Sequence, residues 1–288
     1  METFTQASTL RRHLGELTRQ GKRVALVPTM GNLHEGHLSL VDLANSHGDV
    51  VVATIFVNPL QFGPAEDLDA YPRTLERDLE LLEGRGCHCV FTPAVDEIYG
   101  ESLEAQTLVK VPGVSEGYCG SSRPGHFEGV ATVVTKLLNI VQPDVAVFGL
   151  KDYQQFLVIR KLVRDLQIPV EILGGEIVRE SNGLALSSRN GYLDSQQREQ
   201  ASAIYRSLQS VAAELRKGRQ AIRELESKGR EIIEQAGLRP DYYAVCNAET
   251  LKPAQTHDEN LVILAAAFLG STRLIDNQRL TRNTHSTA

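Results

Sequence analysis

RVALVPTMGNLHEGH, residues 23–37, opens on an apolar run suited to a β-strand, crosses a proline and a glycine, and ends on two histidines three apart. A strand that feeds a glycine-bearing turn and then a helix is where α/β proteins hold phosphates, since the N–H groups and dipole of the helix N-terminus favour anions. Residues three apart in the first turn of a helix share a face. His34 and His37 can therefore both address a phosphate over the helix start, while Gly36 lets a nucleotide approach the backbone. Two other readings of the pair stand beside this one, a zinc pair and two solvated surface histidines; zinc needs a third ligand, and no convincing His/Cys/Asp cluster accompanies them.

Other phosphate signatures fail. Gly15-Glu-Leu-Thr-Arg-Gln-Gly21-Lys22-Arg23 looks like a P-loop but has five residues between its glycines, no Ser or Thr after the lysine, and a strand where a helix should follow. No G-x-G-x-x-G follows the first strand, so a nicotinamide or flavin dinucleotide is not indicated.

Working outward, short apolar or β-branched runs at 23–27, 50–57, 88–92 and 144–148 alternate with helical patterns at about 36–47, 71–84, 128–142 and 152–165. This alternation predicts a Rossmann-like, doubly wound parallel sheet. The nearly unbroken apolar stretch at 49–57 suits a central strand covered on both faces. Beyond about residue 180 the texture changes. Asn182-Gly183 and Asn190-Gly191 bracket Leu184–Arg189, and Asp194 with Gln197 forms a capping box. From there Ala201, Ile204, Tyr205, Leu208, Val211, Ala212 and Leu215 make one helical stripe that stops before Gly218. A helix near 219–236 and strands near 241–247, 261–268 and 272–276 complete a smaller C-terminal α+β domain. The hinge falls within 175–190, dividing the chain into domains 1–180 and 181–288, and the tail Thr281–Ala288 reads as frayed.

The chain has 288 residues, 42% of them hydrophobic, enough for about two ordinary cores. Its formal charge of −6, with no Lys/Arg block, argues against nucleic acid as a partner. No apolar stretch reaches the roughly 18 residues of a membrane span and Met1–Thr5 does not open a signal peptide, so a cytoplasmic protein with no membrane partner is expected. Cys87, Cys89, Cys119 and Cys246 are too few for a disulfide framework and read as thiols; Cys87-His-Cys89 lies at a probable strand start and reads as buried structural sulfur.

Two further constellations raise the value of the first. Val145–Gln155 repeats strand, glycine and polar helix start, and in an open α/β sheet it lies at the same carboxyl edge. There Lys151 can meet phosphate as a point charge and Asp152 can cap a helix or hold a ribose hydroxyl. Leu186-Ser187-Ser188-Arg189 adds two hydroxyls and a guanidinium, suited to a phosphorus centre that is losing pyrophosphate.

Pro28–His37, Phe56–Phe62, Tyr71–Thr74, Ser122–Phe127, Gly149–Gln155, Leu184–Tyr192 and Arg273–Asn277, in register from about residue 20 to 277, together resemble the pantothenate synthetase (pantoate–β-alanine ligase) family. The H-x-G-H turn and Ser-Ser-Arg loop resemble those of the wider nucleotidyltransferase superfamily, which includes class I aminoacyl-tRNA synthetases. The resemblance implies an ATP- and Mg²⁺-dependent enzyme that adenylates (R)-pantoate and then passes the acyl group to β-alanine. By position it implies that Met30, Gly31, Asn32, Leu33, His34, Glu35, Gly36 and His37 line the ATP site, with His34 and His37 on the phosphates and His37 the candidate proton donor. Gly149, Leu150, Lys151, Asp152, Val178, Leu186, Ser187, Ser188 and Arg189 would also hold the nucleotide, the C-terminal domain closing over it. Gln61 and Gln155 would bind pantoate, Gln61 bordering the β-alanine position; Asn58 and Arg123 are further candidates for substrate, and Asp78 for Mg²⁺. Leu150 departs from the family pattern, which usually has Glu or Gln, so this position is expected to meet ATP through its backbone. The family also implies a homodimer built through the first domain. A different nucleotidyltransferase, acting on a phosphorylated acceptor, and a non-catalytic nucleotide-binding regulator remain as competing readings.

Overall fold

The computed structural model describes residues 1–64 and 66–282. The chain divides into two compact units, one of Met1–Leu150 and Gln154–Glu176, the other of Lys151–Tyr153 with the residues from Ile177 onward. The division at Glu176 falls four residues before the expected boundary, and the three residues Lys151–Tyr153 group with the second unit although the strand before them belongs to the first.

In chain order the first unit contains β1 (Glu2–Phe4), α1 (Ala7–Arg19), β2 (Val24–Thr29), α2 (Glu35–Asn45), β3 (Val50–Ile55), a 3₁₀ turn (Pro59–Gln61), α3 (Leu75–Gly84), β4 (Cys89–Phe91), α4 (Val95–Tyr99), α5 (Tyr118–Ser122), α6 (His126–Val141) and β5 (Val145–Gly149). A 3₁₀ turn (Leu150–Asp152), α7 (Tyr153–Asp165) and β6 (Glu171–Gly175) follow. The strands form one parallel sheet in the order β1-β4-β3-β2-β5-β6. Ala25, Val27, Val51, Ala53, Val145 and Val147 pack with Leu40, Val41 and Ala44 of α2 in one core. Val24, Leu26, Val50, Val52, Ala146 and Phe148 point the opposite way by the two-residue period, yet are equally buried. Both faces of the central strands are therefore covered, which accounts for their unbroken apolar sequence.

Among the elements of this unit that the sequence reading did not mark are β1, α1 and β6, beside the short helices α4 and α5. β1 is three residues long, too short to express a period, and is held by its register against Cys89–Phe91. Helix α1 buries only Leu10 and Leu14, and it absorbs the P-loop look-alike, Gly15 lying inside it. β6 contains Gly174 and Gly175, residues that argue against a strand. A Cβ at Gly175 would stand 2.2 Å from Leu40 Cδ2, and one at Gly174 would stand 2.6 Å from Leu150 Cδ2, so packing demands glycine where propensity would not. The helix expected from 71 begins at Leu75, because the residue before Pro72 is kept out of helical geometry.

The second unit holds a 3₁₀ turn (Ser188–Tyr192), α8 (Ser195–Ala201), α9 (Ala203–Arg216), α10 (Ile222–Gln235), β7 (Arg239–Asn247), β8 (Asn260–Leu269) and β9 (Thr272–Thr281). The strands form an antiparallel sheet in sequence order. The Asp194–Gln197 capping box is present: Asp194 Oδ1 accepts from Gln197 N at 2.8 Å, and Gln197 Oε1 accepts from Asp194 N at 3.0 Å. The predicted stripe, Tyr205 excepted, packs as one core with Leu225, Ile233, Val245, Ile263 and Leu274, but the helix is divided at Ser202, whose hydroxyl bonds back to Glu199 O. β9 runs five residues past its predicted end. Thr281 closes it, and Arg282 is buried with its guanidinium on the carbonyls of Asp258 and Gln255, so fraying does not begin at Thr281. Residues 283–288, the rest of that expected frayed tail, lie outside the described residues.

Candidate active site

The strand order reverses between β2 and β5, and ligands of open α/β sheets bind outside the carboxyl ends of strands at such a point. The H-x-G-H turn leaves β2 there and Gly149 ends β5 beside it, Ala25 and Leu26 pairing with Val145 and Ala146.

The turn is held by its own side chains. Thr29 Oγ1 donates to Thr54 O at 2.6 Å and accepts from Gly31 N at 3.2 Å. Gly31 and Asn32 adopt positive φ, +83° and +50°, and a Cβ on Gly31 would crowd Asp78 Oδ2 and Ile55 Cγ2 at 3.1 Å. Asp78, 1% exposed, accepts from Asn32 N and Leu33 N, both at 2.8 Å, and from the Thr74 hydroxyl at 3.1 Å. His34 is the N-cap of α2: its Nδ1 accepts from Gly36 N at 3.1 Å, while its own N–H donates to His37 Nδ1 at 3.3 Å. The two rings lie 4.1 Å apart, tilted by 36°.

Two consequences follow. The N–H groups of Gly31, Asn32, Leu33, His34 and Gly36 donate to protein side chains, so the turn is not the N–H cradle that its glycines suggest. And because Nδ1 of both histidines accepts a backbone hydrogen bond, the neutral ring that satisfies both caps carries its proton on Nε2, making each Nε2–H a donor. Among the described residues no group of three His, Cys, Asp or Glu is placed to hold a metal ion. The Leu33 and Leu150 side chains are buried, and the Glu35 carboxylate is paired with Arg85 on the surface.

Asp78 is committed to the turn. Asp78→Ala strips two main-chain N–H groups of their acceptor, at about 1–3 kcal/mol for each such group left unsatisfied. Urea unfolding should show a loss of about 2–4 kcal/mol. An unchanged unfolding midpoint with lost activity would instead make Asp78 a ligand of something bound.

Gln61 is buried with its Nε2 3.2 Å from Met30 Sδ, which brings it to the H-x-G-H turn. Its Oε1 accepts from Asn58 Nδ2 at 3.0 Å, and its main-chain oxygen accepts from His126 Nδ1 at 2.9 Å. Arg123 is drawn into scaffold: Nε and one terminal nitrogen hold both oxygens of Glu66 at 2.6 and 2.7 Å, and the other contacts His126 Nε2 at 2.9 Å. Burial alone would push the Glu66 carboxyl up, but Arg123, by hydrogen bond and charge, and Gly63 N–H hold it below the usual range. Gln155 is half-buried in the first turn of α7. Its neighbour Gln154 is spent on structure, accepting from Cys119 N and donating to the carbonyls of Val114, Glu116 and Gly117.

In the second unit Lys151 and Ser187 line one cavity with Tyr205 and Asp276. Val178 O accepts from Leu186 N at 2.9 Å, Arg179 bridges to Ala185, and Asn182-Gly183 makes the turn between them. Ser187 Oγ caps the following 3₁₀ turn through Arg189 N at 3.3 Å, which places Ser188 and Arg189 at its start. Asp152 lies 3.9 Å from the Lys151 ammonium. Three residues not picked out individually from sequence organise this region. Asn277 donates to Lys151 O at 2.9 Å, and Arg179 grips Asp276 with two bonds of 2.6 and 2.9 Å while stacking on Tyr205. Complete burial pushes the Asp276 carboxyl up, with Arg179 pulling against it. The stretch 273–277 carried the hint of Asp276 and Asn277, and nothing in the sequence reading singled out Arg179.

Cys87 and Cys89 are buried, and desolvation pushes their thiols up to about 11 and about 12, as inert structural sulfur requires. No helix among the described residues is long and apolar enough to cross a membrane.

Fold and turn together describe an α/β protein with an H-x-G-H turn at the switch point of its parallel sheet. Residues 2–279 match the family model for pantoate-beta-alanine ligase, and the chain belongs to that family. It is 58% identical over 277 residues to the pantothenate synthetase of Pseudomonas aeruginosa, covering 96% of this chain and 98% of that one. With the enzyme of Marinobacter nauticus it shares 58% over 282 residues, 98% and 100% of the two chains. The pantothenate synthetase structure from Thermus thermophilus superposes with a TM-score of 0.90 at 44% identity, covering 96% of this chain and 99% of that chain. A pantoate-beta-alanine ligase from Francisella tularensis, complexed with beta-gamma ATP and beta-alanine, superposes with a TM-score of 0.81 at 33% identity, covering 96% and 97%.

Proposed function

We infer that this chain condenses pantoate with β-alanine at the expense of ATP, forming pantothenate, AMP and pyrophosphate through a pantoyl adenylate. A carboxylate is a poor acyl donor. Its oxygen attacks the α-phosphorus, the bond to the β-phosphate bridging oxygen breaks, and pyrophosphate departs with that electron pair. The β-alanine nitrogen then attacks the acyl carbon, loses a proton, and AMP leaves. The enzyme's work in the first step is to position reactants and to offset charge that grows on the departing oxygens.

The observation that carries this reading is the pair of histidines fixed by their Nδ1 atoms at the switch point of the sheet. Their Nε2–H groups are assigned to the phosphates, His37 supplying the hydrogen bond that follows charge onto the leaving group. The Lys151 ammonium and the Arg189 guanidinium add fixed positive charge, and Ser187 and Ser188 add hydroxyl donors. The Met30–His37 turn, main-chain groups of Gly149, Leu150 and Val178, and the Asp152 carboxylate are assigned to the nucleotide. Gln61 and Gln155 are assigned to pantoate. Asn58 and Arg123, whose polar groups bond within the protein, are assigned to shaping Gln61 instead of touching substrate. Mg²⁺ is assigned to the triphosphate oxygens, the usual mode for this ion with nucleotides; Asp78 does not fit as its protein ligand. The homodimer and the cytoplasmic location rest on the resemblance alone.

The test uses enzyme, ATP and Mg²⁺ without amine. With pantoate, labelled pyrophosphate should exchange into ATP, and about one pyrophosphate per site should be released before the reaction stalls. Exchange with a phosphorylated acceptor would point to a different nucleotidyltransferase, and exchange with no acid to a regulator.

A further inference from the structure

Gln61 ends a chain of hydrogen bonds that the adenylation chemistry does not use. Tyr99 Oη donates to Asn58 Oδ1 at 2.6 Å, and Leu60 N donates to the same oxygen at 3.3 Å. Asn58 Nδ2 then donates to Gly129 O at 3.2 Å and to Gln61 Oε1 at 3.0 Å. Asn58 is 1% exposed. Turning its amide over would set Nδ2 against the Leu60 N–H and Oδ1 against the Gly129 carbonyl, so only one hand of this amide is tolerated. The Tyr99 phenol, which burial pushes further up from its ordinary range, keeps its proton and supplies the shortest link. Its ring is seated between Phe56, 6.1 Å away, and the Lys136 ammonium at 5.1 Å, so the hydroxyl has a fixed address.

The hand of Asn58 dictates that of Gln61. Gln61 must spend its oxygen on Asn58, which turns its nitrogen to Met30. A thioether is a weak acceptor, and an N–H aimed at one gains by exchanging it for an oxygen. We propose that Tyr99, by holding Asn58 in the one hand that Leu60 N–H and the Gly129 carbonyl allow, is a positioning residue that steadies the Gln61 carboxamide, so that Gln61 presents N–H donors and not its oxygen to the acid substrate. The Met30 sulfur holds the place of a hydroxyl or carboxylate oxygen of that acid. This rests on the assignment of Gln61 to pantoate.

Steady-state kinetics on Gln61→Glu, Tyr99→Phe and the double variant test both levels. Gln61→Glu keeps the shape and removes the donors; it should raise KM for pantoate by about a hundredfold or more, as when a buried partner is left unpaired. Tyr99→Phe keeps the ring and should raise the same KM about three- to tenfold, the worth of one neutral hydrogen bond, with KM for ATP within twofold. In the Gln61→Glu background Tyr99→Phe should add nothing, because a hand has no meaning for a carboxylate. Asn58→Asp, read where it folds, turns the Gln61 amide over and should approach Gln61→Glu. If Gln61→Glu leaves KM for pantoate unchanged, the assignment of Gln61 falls and the relay with it. If Gln61→Glu acts but Tyr99→Phe does not, or shifts both substrates equally, or adds its full effect in the double variant, the relay alone is overturned.

Discussion

His37→Ala is expected to slow single-turnover formation of pantoyl adenylate by about 10²–10⁴, the usual cost of losing a positioned proton donor. Each tenfold is about 1.4 kcal/mol of barrier, so the variant forfeits about 3–5 kcal/mol of transition-state stabilisation. Histidine does two jobs at this position, and they separate. Nδ1 accepts from His34 N at 3.3 Å and completes the cap of α2; losing a cap bond costs about 1 kcal/mol of stability. Nε2–H is the donor assigned to the phosphates. Unfolding should therefore shift modestly while the chemical step collapses, and ATP affinity should fall far less than the rate. A loss below threefold would remove His37 from the mechanism. A rate loss that tracks the loss of stability would reduce its role to capping.

Gln155→Leu is expected to abolish discrimination between pantoate and an analogue lacking the contacted hydroxyl. A site built to hydrogen-bond a substrate hydroxyl can reject the deoxy analogue by roughly 10⁴, because the buried partner is otherwise unpaired. Leucine makes no such demand, so KM for pantoate should rise steeply while the analogue changes little. Calorimetry of ATP binding without pantoate should be nearly unaltered. If ATP affinity falls as far as that for pantoate, or neither moves, the acid pocket must be redrawn. The neighbouring pair of glutamines provides its own contrast. Gln154 holds the 114–119 segment through four main-chain bonds, so Gln154→Leu should lower stability without favouring the deoxy acid.

Sequence alone decided much that depends on local pattern. The unbroken apolar strands β2, β3 and β5 marked a covered parallel sheet because burial on both faces leaves no polar positions. The capping box at Asp194 and the stripe through Leu215 marked the second unit's helical layer, because hydrogen bonding and the 3.6-residue period are both written within a few turns of chain. His34, Gly36 and His37 and the Lys151 region stood out in the sequence because strand, turn and helix start recur around both, and the Ser-Ser-Arg loop because it adds two hydroxyls and a guanidinium.

Tertiary structure decided what depends on partners far along the chain. β6 forms despite two glycines through its parallel pairing with β5, and Leu40 and Leu150 occupy the space that side chains at those glycines would need. Asp78, offered by the resemblance as a candidate for Mg²⁺, clamps a turn more than forty residues earlier. Arg123, a cation fit for a carboxylate substrate, is taken by Glu66 from across the fold. Asn58, which accepts from the Tyr99 hydroxyl, directs its own amide N–H to the Gln61 oxygen. In each case the residue type fixes only what a side chain can offer. Which donor or acceptor it meets is settled by the free energy of satisfying buried polar groups, and those partners are brought together by the folded chain.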